Sequence, residues 1–92
     1  MHVVDVQARI DYMKEALHDV AEMHRASGDF EAAAKAYDAR LAMMDPKEER
    51  EAFEAVASAY TAIGSREFQV GNFDRAKNFH LKSVGVLTAF HG

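Results

Sequence analysis

The stretch that decides the fold is Leu17-x-x-Val20-Ala21-x-x-His24-x-x-x-Gly28-Asp29-Phe30-x-x-Ala33, because it returns 43 residues later. The second copy is Tyr60-x-x-Ile63-Gly64-x-x-Glu67-x-x-x-Gly71-Asn72-Phe73-x-x-Ala76, at the same offset throughout and without a gap. Agreement of spacing and residue type over so many positions marks an internal repeat. In each copy an apolar residue, a small residue, a glycine with Asp or Asn, an aromatic and an alanine follow in order. A glycine followed by a side chain that can cap a helix stops one helix and starts the next. Each copy therefore predicts two helices joined by a turn too short for anything but an antiparallel hairpin.

Outward from the repeat, the periodicity is helical on both sides. Val6, Ile10, Met13, Leu17, Val20 and His24 recur at steps of four and three, which puts them on one face of a first helix capped by Asp5. Phe30, Ala33, Tyr37, Leu41 and Met44 mark a second helix, where Ala32, Ala33, Ala34, Ala36 and Ala39 favour helix and close approach. Asp45-Pro46-Lys47-Glu48 carries an N-cap, a proline in the first turn and a capping-box glutamate. It predicts a third helix from Pro46 to about Val70, with Phe53, Val56, Tyr60 and Ile63 inside. Gly64 within it costs about 1 kcal/mol against alanine, which implies a packing reason. A fourth helix carries Phe73, Ala76, Phe79, His80, Ser83, Leu87 and Phe90 on one face. Val84 and Val86 lie off that face as an exposed apolar patch.

The fold expected is all-α: four helices in two antiparallel hairpins, stacked as a repeat solenoid or a right-angled bundle. It forms one domain over residues 1–92, with unit one at about 4–45 and unit two at about 46–90. The chain has 92 residues, 49% of them hydrophobic and 28% charged, an ordinary globular balance. It has no cysteine, which removes disulfides and thiolate ligands. No apolar run approaches the roughly 20 residues of a membrane helix, and no signal peptide is evident at the N-terminus. A cytoplasmic protein is the expectation.

The net charge is −4, unevenly spread. Residues 1–63 hold 13 acids against 7 bases; after them Glu67 and Asp74 face Arg66, Arg75, Lys77 and Lys82. The overall acidity argues against nucleic acid as the partner. The asymmetry can steer head-to-tail contact between copies.

The repeat resembles the tetratricopeptide repeat on Tyr60, Ile63, Gly64, Gly71, Asn72, Phe73 and Ala76, and on Leu17, Val20, Ala21, Gly28, Asp29, Phe30, Ala33 and Tyr37. Asp45-Pro46 resembles the Asp-Pro that closes many such repeats. The resemblance covers Met13 to Leu87. The period is longer than that family's usual one and is similar to the long repeats of kinesin light chains. Departures are His24 and Glu67, where an aromatic is common, and Arg40 and Ser83, where a small residue is common.

The resemblance implies a protein-protein interaction module, an adaptor or scaffold, with a partner segment on the inner face of the first helix of each pair. That face would hold Glu15, His18, Asp19, Glu22 and Arg25 in unit one, and Thr61, Ser65, Phe68 and Gln69, with Ser58 and Ala62, in unit two. The family's basic carboxylate clamp is absent, so a basic or amphipathic peptide suits the face better.

Two units are fewer than a solenoid usually needs, and the last helix is not a polar cap. Val84, Val86, Leu87 and Phe90 are therefore expected to self-associate or to meet another protein. The competing functions are a self-assembling unit and a small acidic regulator using Asp11, Glu15, Asp19 and Glu22.

Catalysis, a cofactor and a metal are not expected. There is no G-x-S-x-G turn, phosphate-cradling loop or dinucleotide fingerprint. His18 and Glu22 stand one turn apart and could share a divalent ion, but His24 lies on another face and no HExxH or HxxxH pattern occurs. The acids of Glu48, Glu49, Glu51 and Glu54 suit a helix N-terminus rather than acid-base chemistry.

Overall fold

The structure is a computed structural model and describes residues 3–89. Among these residues the secondary structure is four helices: α1 (Val3–Ser27), α2 (Phe30–Leu41), α3 (Arg50–Gln69) and α4 (Phe73–Thr88). α1 packs on α2 and α3 on α4, giving two helical hairpins in an all-α fold. The chain divides into two compact units, Met1–Met44 and Asp45–Gly92, one hairpin in each. No helix among the described residues is long and apolar enough to cross a membrane.

The two turns are built alike, as their shared glycine predicts. Gly28 and Gly71 hold φ of +84° and +89°, the left-handed region where a side chain is strained. In the first turn Gly28 N–H donates to Arg25 O and Asp29 N–H to His24 O; in the second Gly71 N–H donates to Phe68 O and Asn72 N–H to Glu67 O. This pair of bonds closes the last carbonyls of the helix and aims the chain back along it. Asp29 then caps α2 by accepting from the Ala32 amide at 3.2 Å. Asn72 stands at the same position with nearly the same backbone angles, but its side chain makes no cap bond. It turns back instead, and its amide donates to the carboxylate of Glu67 at 2.8 Å.

Small residues lie where each hairpin crosses. Ala21 and Ala33 are fully buried in the first hairpin, and Gly64 and Ala76 are buried in the second. A Cβ on Gly64 would sit 2.5 Å from His80 Cδ2 and 3.1 Å from the Ala76 carbonyl. The packing reason expected for this glycine is thus the passage of α4.

Three local expectations are corrected. α3 begins at Arg50, not Pro46. The Asp45 side chain accepts from the Lys47 amide at 2.9 Å, while the Asp45 carbonyl takes the Glu48 and Glu49 amides. Asp45 thereby closes a separate turn, a local bond that competes with capping a helix. Glu49, at φ −121°, then breaks the chain before α3 and offers no side-chain cap. Second, Asp5 lies within the first turn of α1 rather than before it, where its charge suits the helix dipole.

Third, only part of the stripe that the apolar spacing marks on α1 turns inward: Ile10, Leu17 and His24 are half-buried. Val6, Met13 and Val20 are exposed, whereas His18, Arg25 and fully buried Ala21, outside the expected stripe, turn inward. Length explains part of this. α1 has 25 residues and α2 has 12. With both helices rising about 1.5 Å per residue, α2 runs back only to about Ala16. Val6, Tyr12 and Met13 therefore lie beyond the end of their partner helix.

Candidate functional site

The second hairpin is tied across its helices by polar bonds as well as by rings. Tyr60 is fully buried, with the Phe79 ring 6.1 Å away and the Lys82 ammonium 5.3 Å over its face. Ser83 is buried and donates to the Ala57 carbonyl at 2.8 Å. Its hydroxyl also meets that of Thr61 at 2.8 Å. With its one proton spent on Ala57, Ser83 accepts there and Thr61 donates. Buried Glu67 receives the Asn72 amide and lies 3.6 Å from the Arg75 guanidinium.

Two surfaces on this hairpin are concave. One, of about 360 Å3, is apolar and lies around Phe68, Phe73, Leu81 and Val84, with Lys77 and His80 beside them. Phe68 and Phe73 meet edge to face at 5.2 Å across the turn. Phe73 was expected in the core like its counterpart Phe30; it is 61% exposed, against 7% for Phe30. The other cleft, of about 510 Å3, lies around Ser58, Thr61, Ala62, Ser83 and Leu87, with Glu54 at its edge.

The first hairpin has a cleft at the same place in the repeat, of about 470 Å3, lined by Glu15, His18, Asp19 and Arg40. These stand 43 residues before Ser58, Thr61, Ala62 and Ser83. Its chemistry differs. Where Ser83 closes its bonds within the hairpin, Arg40 Nε and His18 Nδ1 are buried with no hydrogen-bond partner among the described residues. One turn further on, Glu22 and Arg25 pair at 3.5 Å and both face the buried Tyr37 hydroxyl. Burial is the largest effect on that phenol and holds its pKa above the ordinary 10.0; Arg25 opposes the shift and Glu22 adds to it.

Comparison of the chain with protein-family models, with curated proteins and with solved structures finds no match.

Within each hairpin the residues expected on the inner face line different surfaces. Glu15, His18 and Asp19 share the first-hairpin cleft, joined by Arg40 from the other helix. Glu22 and Arg25 are engaged with each other. Thr61 lines the cleft beside Ser58 and Ser83, and Phe68 the one beside Phe73. Ser65 and Gln69 are exposed and line neither. The expected self-association patch also divides. Val84 lines the cleft with Phe68 and Phe73, exposed Leu87 the one with Thr61 and Ser83, Val86 is half-buried, and Phe90 lies outside the described residues. No group of three or more His, Asp or Glu among the described residues is arranged to hold a metal ion.

Helix periodicity says nothing of which residues two helices bring together, so spacing alone does not mark Arg40 as a site residue. The signal available was its pairing with Ser83 in the repeat, a long cation standing where the second copy has a small hydroxyl.

Proposed function

We propose that this chain is a protein-interaction module, and that its second hairpin receives the apolar face of an amphipathic partner helix. The observation that carries this reading is the exposed apolar cleft around Phe68, Phe73, Leu81 and Val84. These side chains are 56–61% exposed, and they cluster instead of scattering. A groove between helices with aromatic walls suits a helix that presents apolar residues three and four apart. Lys77 beside the cleft favours acidic residues flanking that stripe. The resemblance of the hairpins to tetratricopeptide repeats supports the same class of function.

A display library of amphipathic helical peptides tests it. Enrichment of sequences with large apolar residues and acidic flanks, abolished by Leu81→Glu with Val84→Glu, is the expected result. Both positions are exposed, so the double variant keeps its fold. Enrichment that survives the double variant, or none at all, sinks the reading.

A second reading, self-association through α4, is favoured by the exposure of Val84 and Leu87 on that helix. Sedimentation decides: a clean monomer at high micromolar concentration removes it.

A further inference from the structure

We infer that the occupant of the apolar cleft around Phe68, Phe73, Leu81 and Val84 is the N-terminal end of α1 from a second copy of this chain. The inference rests on the reading of that cleft as a seat for an amphipathic helix, and it names the helix.

That reading asks for a helix with apolar residues three and four apart and acidic residues around them. The end of α1 before about Ala16 has both properties. Val6, Ile10 and Met13 stand at steps of four and three, which puts them on one face. Val6 and Met13 are exposed, and Ile10 is half-buried. α2 ends short of them, because it has 12 residues against the 25 of α1. The segment is helical before it meets a partner, so seating it avoids the ordering cost that a disordered peptide carries.

Charge decides between the surfaces that could cover this stripe. From Asp5 to Glu22, α1 carries Asp5, Asp11, Glu15, Asp19 and Glu22 against Arg9 and Lys14. Lys14 lies 3.8 Å from Asp11, which offsets it. A second α1 laid beside the first would bring like charges together. The stretch that holds the cleft, residues 64–92, has Arg66, Arg75, Lys77 and Lys82 against Glu67 and Asp74, with Lys77 beside the cleft itself. Opposite net charge draws α1 toward the cleft and away from another α1. Each copy offers both surfaces, and the contact joins unlike ones. It therefore closes as a reciprocal pair or a ring, or propagates as a chain.

Sedimentation of the full chain and of two double variants tests the inference. Val6→Glu with Met13→Glu removes the α1 stripe and leaves the cleft; Leu81→Glu with Val84→Glu removes the cleft and leaves α1. All four positions are exposed, so circular dichroism should show unchanged helix content in both. The unaltered chain should self-associate at high micromolar concentration, and less so as salt is raised. Each variant alone should associate at least about tenfold more weakly. An equimolar mixture of the two should recover a one-to-one complex, because one supplies the stripe and the other the cleft. Association lost only in the cleft variant assigns the contact to α4 against α4; association lost only in the α1 variant assigns it to α1 against α1. Either result overturns the inference, as does a mixture that stays monomeric, association indifferent to salt, or a clean monomer of the unaltered chain. Peptide enrichment by the cleft without association of the full chain would sink this inference alone; absence of both would sink the cleft reading as well.

Discussion

The two hairpins share a sequence offset, a turn and a crossing, yet they spend their side chains differently. Among the described residues α1 contributes Ala21 to the buried core, while α3 contributes Phe53, Val56, Ala57, Ala59, Tyr60, Ile63, Gly64 and Glu67. The positions that the second hairpin closes upon itself through Ser83 and Thr61 are Arg40 and His18 in the first, where they line a cleft with Glu15 and Asp19. Conversely, the first buries its post-turn aromatic, and the second displays Phe73 at the surface. Repetition of backbone geometry therefore does not carry over to repetition of surface.

The largest test of this contrast is in the core. Tyr60→Ala should destabilise by about 3–5 kcal/mol in urea unfolding, the range for emptying a buried aromatic site. Leu17→Ala, at the equivalent and only half-buried position, should cost less than half as much. Equal losses would remove the asymmetry. Next is the crossing. Gly64→Ala should cost about 1–3 kcal/mol by overpacking against His80 and the Ala76 carbonyl. Adding His80→Ala should recover part of the loss and leave the part owed to the carbonyl. A neutral Gly64→Ala would show that α4 is not held against this glycine.

The turns should behave alike. Gly28→Ala and Gly71→Ala meet no neighbouring atoms, so each should cost only the left-handed backbone strain, about 1–2 kcal/mol, within error of each other. A clear difference would break the equivalence of the two turns.

The smallest effect is electrostatic and confined to the first hairpin. The Tyr37 pKa is raised by folding, so the unfolded chain loses this proton first as pH rises. The stabilisation is complete below pH 10 and is lost as pH climbs through the folded value. Tyr37→Phe should flatten that part of the stability-pH curve; an unchanged slope would show that Tyr37 is not responsible.

What was legible in the sequence follows how local each cause is. The glycine turns, the Asp29 cap and the small crossing residues are decided within a few residues, and they were readable. Gly64 announced a close approach, though not that His80 and Ala76 made it. The start of α3 was misread because Asp45 satisfies Lys47 as readily as a helix start, and proline suits both. The face of α1 is legible only in part, because periodicity assumes a partner along the whole helix and α2 is half as long. The first-hairpin cleft needed Arg40 and His18 brought together from two helices, which no spacing encodes.

The unequal lengths of α1 and α2 also have a consequence in time. The amides before about Ala16 lie beyond the end of α2, so they should fray and exchange with solvent more readily than the hairpin behind them. Such a segment can unwind and rewind many times for each opening of the turn. Any partner that settled on Val6, Tyr12 or Met13 would announce itself first as a slowing of that exchange.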